Sequence, residues 1–532
     1  MRPGEAESTD APPPEDVAMS LPCGTRLATR VWRPAGPGPW PVLLMRQPYG
    51  RAIASTVTLA HPSWYAAQGY VVAVQDVRGT GGSEGAFDPF AAEAADGAVA
   101  LDWARGLRGG NGRLGLYGFS YQGMTQMLAL AGGGSADAIA PVMAAWDLWA
   151  DFASEGGAFR LDWGVGWAMQ MAAAAARRAG DATAFDAFAE AAAAPPLDGP
   201  EPAMPALARD HDRHCHLADW VAAIGAPEYW AARSPARMAA APGRATPALH
   251  VGGWFDGFLN GTIAAHDAAR RAGADARLVI GPWAHIPWAG GALSVDRLLL
   301  SWFDHRLKDA PAPDGPPIRL YDLTRREWRG FDAWPEERTR FWLAGDGLAA
   351  AGSTGRLTQQ APRAGSAETF VHDPWRPVPA RGHHLAPPTG MAERDDLDAR
   401  ADVAVFTSAP LARPLRLVGA PDLRAEVDSD ADGFDLHAVL SRVDRSGTAR
   451  TLTLGHGRFA GRGGARVIRL RPVAATLEPE ERLRLSLSGA AWPAFAVNPG
   501  TGALPERTSR RECMPITLTI RTPATLDIGV AA

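Results

Sequence analysis

Cysteine is scarce in this chain. Its three thiols, Cys23, Cys215 and Cys513, are far apart and odd in number among 532 residues, so no disulfide framework is expected and a reducing, cytoplasmic setting fits best. Long apolar runs are missing as well. No stretch approaches the ~18 consecutive apolar residues of a membrane span, and the first sixteen residues are acidic and proline-rich, without the apolar segment of a secretory signal. A basic run able to track phosphates is also lacking. With 53 basic against 58 acidic side chains and a net charge of −5, the chain argues against nucleic acid as a partner. The histidine-rich stretch His211-Asp212-Arg213-His214-Cys215-His216 has no second cluster at ligand spacing, so it reads as a polar turn and no metal is expected. The glycine-rich stretch Gly79 to Gly85 departs from the dinucleotide fingerprint because Glu84 takes the place of the third glycine. It reads as a structural loop, and no cofactor is expected.

What is present is a nucleophile motif. A strand-like run, Arg113 to Tyr117, leads into Gly118-Phe119-Ser120-Tyr121-Gln122-Gly123, and a helix-like run, Met124 to Ala131, follows. Strand, sharp turn and helix together lift a serine hydroxyl above a sheet edge and aim a helix N-terminus at it. Downstream, the apolar run Ala248-Leu249-His250-Val251 ends in Gly252-Gly253-Trp254-Phe255-Asp256-Gly257, and Arg277-Leu278-Val279-Ile280 ends in Gly281-Pro282-Trp283-Ala284-His285. Both read as buried parallel strands carrying an acid and a histidine just past their carboxyl ends, where open α/β sheets bind ligands. Ser120, Asp256 and His285 stand in the chain order of an α/β-hydrolase triad. Ser120 is weakly nucleophilic unless a base takes its proton, which assigns His285 as base and Asp256 as the group that orients it. The backbone N–H of Tyr121, the residue after the nucleophile, is the expected oxyanion donor.

The rest of the chain divides by pattern. Residues 1–16 read as a disordered tail. Residues 17–145 alternate strand and helix signals, the mark of a doubly wound sheet. Residues 146–240 hold helix-like runs and no strand-like run, as expected of a helical cap inserted into the hydrolase core. The sheet pattern resumes over 241–310. After the linker Lys308 to Pro317, residues 318–532 are almost entirely β-like with frequent turns, which suggests a jelly roll.

With these residues in place the chain resembles the cocaine esterase-like and X-prolyl dipeptidyl-peptidase-like (CocE/NonD) serine hydrolases over nearly its whole length. The elbow carries Gln122 where a generic G-x-S-x-G has glycine, and Gly123 completes the family's G-x-S-Y-x-G. Arg46-Gln47-Pro48-Tyr49, Asp76-Val77-Arg78-Gly79 with Ser83-Glu84-Gly85, Trp254 to Phe258, Gly281 to His285, and Phe495, Asn498-Pro499 and Thr501-Gly502 match its other segments. The resemblance implies that the Tyr49 phenol is the second oxyanion donor. It also implies that the cap residue Trp167 lines the acyl pocket, with Phe258 and Phe152 as similar candidates.

The resulting expectation is a serine hydrolase that cleaves carboxylic esters or amides of small acyl substrates through an acyl-enzyme. The resemblance implies that members acting on α-amino-acid esters hold the substrate's ammonium with carboxylates near the acid strand. Here Gly257, Phe258 and Leu259 follow Asp256 without one, which favours a neutral or aromatic acyl group, although Asp151 in the cap could supply a charge. The alternatives are an X-prolyl dipeptidyl-peptidase or α-amino-acid ester hydrolase, and, from another class, a non-catalytic binding protein on a degenerate hydrolase scaffold. The substrate's identity and the oligomeric state are not legible.

Overall fold

The computed structural model describes residues 12–52, 58–238, 245–286, 288, 293–350 and 352–531. A ten-stranded sheet organises the first part of the chain. Its strands are β1 (Glu15–Ser20), β2 (Arg26–Trp32), β3 (Trp40–Gln47), β4 (Val71–Asp76), β5 (Gly110–Phe119), β6 (Ala138–Val142), β7 (Ala248–Phe255), β8 (Ala276–Ala284), β9 (Ile318–Asp322) and β10 (Glu327–Phe331), in the order β1-β2-β4-β3-β5-β6-β7-β8-β9-β10. From β4 to β9 every pairing is parallel. The wholly buried Val71–Asp76 and Ala248–Phe255 sit among them, as their unbroken apolar runs require of strands covered on both faces.

Helices cover each face. Tyr65 of Pro62–Ala67 and Leu299 and Trp302 of Val295–Lys308 pack on one side. Leu101 of Glu93–Arg105 and Leu128 of Tyr121–Ala131 pack on the other, in a core continuous with the cap. This is the α/β-hydrolase arrangement.

The cap leaves the sheet after β6 and returns to it at β7. It opens with a π-helical turn, Leu148–Ala153, and a two-strand hairpin, Ser154–Glu155 with Ala158–Phe159. The helices Leu161–Ala179 and Ala182–Ala193 and several shorter ones follow. The hairpin is a departure from the all-helical expectation. Its turn, Gly156-Gly157, takes positive φ at both residues and closes against the β domain, where a Cβ on Gly156 would lie 1.7 Å from His456 O. Residues 239–240, expected to end the cap, lie outside the described residues.

Two further expectations are corrected. Glu15 and Asp16, read as the end of a disordered tail, begin β1, because Arg33 pairs with Glu15 at 2.7 Å and Arg30 with Asp16 at 2.8 Å across the hairpin. Residues 318–331, read as the start of the β domain, complete the first sheet. After the proline-rich linker, Ile318 pairs in parallel with Leu278 and continues its ladder.

The second ten-stranded sheet is all-β and strongly curved, with Ile516–Gly529 as its longest strand, flanked by Arg338–Ala344 and Asp422–Ser429. Its core runs on into the edge of the hydrolase sheet, where Leu278, Ile280 and Leu320 pack in one cluster with Leu343, Leu423 and Ile528. It meets the cap through the backbone: Leu161 N donates to Ala494 O at 2.8 Å and Arg458 N to Gly156 O at 2.9 Å.

Candidate active site

Ser120 occupies a backbone conformation that few non-glycine residues adopt, φ +58° and ψ −125°. Its neighbours make that turn possible. Gly118 takes φ +134°, and a Cβ there would lie 2.4 Å from Gln122 Cβ. Gly123 lies where the helix Tyr121–Ala131 passes over β6, and a Cβ there would be 2.7 Å from Ala144 Cβ. That crossing explains why the second glycine stands one place later than in the generic motif. Gln122 is fully buried and closes the elbow from inside, its Oε1 accepting from Phe119 N at 3.0 Å.

The strand ends bring three side chains together. His285 Nε2 is 3.1 Å from Ser120 Oγ, and His285 Nδ1 is 2.5 Å from Asp256 Oδ2. Asp256 is fully buried, and its other oxygen accepts from Phe258 N at 2.8 Å. In this chain of contacts one imidazole nitrogen can take the serine proton while the other donates to a fixed carboxylate.

Two donors flank the hydroxyl. Tyr121 opens the helix, so its N–H belongs to the first turn, which has no intrahelical acceptor. Its ring is locked: the phenol donates to Glu93 Oε1 at 2.9 Å and accepts from Phe90 N at 3.1 Å. Glu93 is in turn held by Arg46 at 2.8 Å, both side chains being 3% exposed. The Tyr49 phenol lines the same cavity as Ser120 and accepts from Trp167 Nε1 at 3.3 Å. Burial pushes that phenol up to about 12, so it remains a proton donor throughout the working range of a histidine base.

Above Ser120 lies a cavity of about 430 Å³ that contains all eight expected site residues except Asp256, which supports His285 from behind. Trp167, Phe152 and Phe258 all line it. Phe152 meets Trp167 edge-on at 5.3 Å and stacks on Phe258 at 6.5 Å. Asp151, named as a possible charge near the substrate, is turned away: its Oδ2 accepts from Trp146 N and Asp147 N at 2.9 and 2.8 Å.

Asp162 and Trp163 are among the lining residues that escaped the sequence reading. Trp163 stacks edge-on against His285 at 5.0 Å. Burial pushes the Asp162 carboxyl up to about 6. The available signal was the helical spacing of Asp162, Trp163, Gly166, Trp167 and Gln170, which puts all five on one face. The histidines of 211–216 do not converge: His214 faces Asp181 at 3.3 Å and His211 packs against Phe188. No group of metal-binding side chains forms among the described residues.

Comparison with known proteins adds to this geometry. A family model described as X-Pro dipeptidyl-peptidase (S15 family) matches residues 24–287, and one described as X-Pro dipeptidyl-peptidase C-terminal non-catalytic domain matches residues 312–526. Cocaine esterase from Rhodococcus sp. (strain MB1 Bresler) is 31% identical, over 93% of this chain and 94% of its own length. An aminopeptidase from a marine sediment archaeon (Thaumarchaeota archaeon) superposes with a TM-score of 0.76 at 21% identity, covering 98% of this chain and 97% of its own. An α-amino acid ester hydrolase superposes with a TM-score of 0.75 at 22% identity, covering 99% and 98%. At such identities the two superpositions speak to the fold alone.

Proposed function

The chain belongs to the X-Pro dipeptidyl-peptidase (S15) family together with cocaine esterase, and from that premise we propose that Ser120, His285 and Asp256 form its catalytic triad. It is a serine hydrolase of the ester-cleaving kind. The observation that carries the residue assignment is the hydrogen-bonded run from Ser120 Oγ through His285 to Asp256 at the floor of an aromatic cavity.

In the reaction, Ser120 Oγ attacks the ester carbonyl as His285 takes its proton. The oxyanion is held by Tyr121 N–H and the Tyr49 phenol. His285 then protonates the departing alcohol, and water repeats the sequence on the acyl-enzyme. Trp163, Trp167, Phe152 and Phe258 enclose the acyl group and exclude solvent.

A second reading, an ester whose acyl part carries an ammonium group, is favoured by one observation. Asp162 is a carboxylate set among rings in the cavity wall, a combination that attracts organic cations. Three free cysteines suit a reducing cytoplasm, and no described helix is long and apolar enough to cross a membrane.

A panel of p-nitrophenyl esters of acetate, benzoate and an α-amino acid, beside aminoacyl p-nitroanilides, tests the reading. Benzoate and acetate esters are expected to turn over with burst kinetics. Turnover of the anilides alone would replace the esterase assignment with a peptidase.

A further inference from the structure

The strand that delivers Asp256 ends at Phe255, so the next two carbonyls leave the sheet ladder. Two buried guanidinium groups receive them. Arg471 Nη2 donates to Asp256 O at 2.5 Å and to Gly257 O at 3.3 Å. Arg160 Nη1 donates to Gly257 O at 3.2 Å and to Asp151 O at 2.9 Å. Arg471 is 2% and Arg160 3% exposed.

Cations so buried need a counter-charge, and Glu155 supplies it, 3.3 Å from Arg471 Nη1 and 2.8 Å from His384 Nε2. Burial opposes its ionisation, but His384 and Arg471 outweigh that and hold the Glu155 carboxyl well below the usual carboxylate range. Arg471 is itself clamped. Its N–H donates to Leu454 O at 2.8 Å, and its carbonyl accepts from Thr453 Oγ1 at 2.6 Å. It lies between the strands Gly463–Arg469 and Val473–Leu477 of the C-terminal domain.

We propose that Arg471 is a positioning residue for Asp256, so that the C-terminal domain, which its family model describes as non-catalytic, sets the turnover of the enzyme. The proposal rests on the triad reading above. The Asp256 carboxylate leaves the same short segment whose carbonyls Arg471 grips. Tilting that segment moves Oδ2 relative to His285 Nδ1, and a displacement of about 1 Å in a catalytic group is enough to cost ~10²-fold. One arm of the Arg471 guanidinium, Nη2, reaches both carbonyls while the other, Nη1, faces Glu155, whereas a lysine ammonium is a point donor that cannot serve both sides at once.

The test compares wild type, Arg471→Met and Arg471→Lys on p-nitrophenyl acetate. Active sites are counted by fluorophosphonate labelling, and Tm is recorded for each. The methionine variant is expected to lose about 10- to 100-fold in kcat per labelled site, with KM within twofold. The lysine variant should lose about 3- to 10-fold, an intermediate loss because one of the two contacts survives. A lowered Tm with kcat per labelled site within twofold of wild type in the methionine variant would overturn the proposal and leave Arg471 a structural residue. Should that variant be insoluble, the lysine variant decides, and wild-type kcat there overturns the proposal. If wild type itself is not labelled at Ser120, the triad reading fails first.

Discussion

Ser120, His285 and Asp256 stand on strand ends where each is held by hydrogen bonds of about 3 Å or less, whereas the cap wall opposite meets the cavity with rings that mostly touch other rings. Ring contacts are broad in distance and angle. The core wall therefore offers one geometry and the cap wall a surface that can admit several acyl shapes. Chemistry and selectivity are built from different kinds of contact, and substitutions on the two walls should fail in different ways.

Ser120→Ala should be the most severe, with a loss of up to about 10⁶ in kcat by analogy with another serine hydrolase. Intact mass after fluorophosphonate treatment should show no adduct while circular dichroism is unchanged. Labelling at full stoichiometry would place the nucleophile elsewhere.

Tyr49→Phe comes next. It removes a donor that strengthens as charge develops on the carbonyl oxygen, so kcat should fall by about 10²–10³ with KM nearly constant. Steady-state kinetics on one ester suffices, and near-normal kcat would move the second oxyanion contact to a backbone amide.

The cap wall should behave otherwise. Trp167→Leu is expected to lower kcat/KM for a benzoate ester relative to an acetate ester by about tenfold and to leave kcat for acetate within a few-fold. Equal losses on both esters would mean that Trp167 serves the core, through its contact with Tyr49, more than the acyl group.

The smallest effect is expected at Asp162. Because burial pushes its carboxyl up to about 6, the group is ionised above that pH and neutral below it. KM for an ammonium-bearing ester should thus rise as pH falls through about 6, while KM for a neutral ester stays level. Asp162→Asn should flatten the difference. Parallel pH profiles for the two esters in wild type would remove Asp162 from substrate recognition.

The contrast between the walls also explains what could be read in the sequence. Ser120 is announced by its own neighbours, since a strand, two glycines and a helix start within a few residues are needed to make the turn. Asp256 and His285 follow apolar runs and lie close behind them. Asp162 has no such frame, because an acid in the first turn of a helix is ordinary. Only the approach of the cap to the sheet puts it in the cavity. The strands Ile318–Asp322 and Glu327–Phe331 were hidden by the prolines before them, which usually mark a boundary but here only a crossing. Arg471 was invisible because its role depends on a contact with Asp256 from 215 residues away in the chain.

The insertion of the cap within the sheet has a consequence for how the enzyme comes into being. Ser120 and His285 are separated by 165 residues, and the segment between them must fold back before β7 and β8 can join the ladder begun by β6. Contacts of such long range close late, because the loop entropy is spent before the contact forms. A ribosome releasing this chain from its N-terminus exposes the serine elbow well before the histidine that activates it, and the β domain that abuts Asp256 emerges last. Hydrolytic activity thus reports completed tertiary assembly, and a partly folded chain holds its nucleophile without a base.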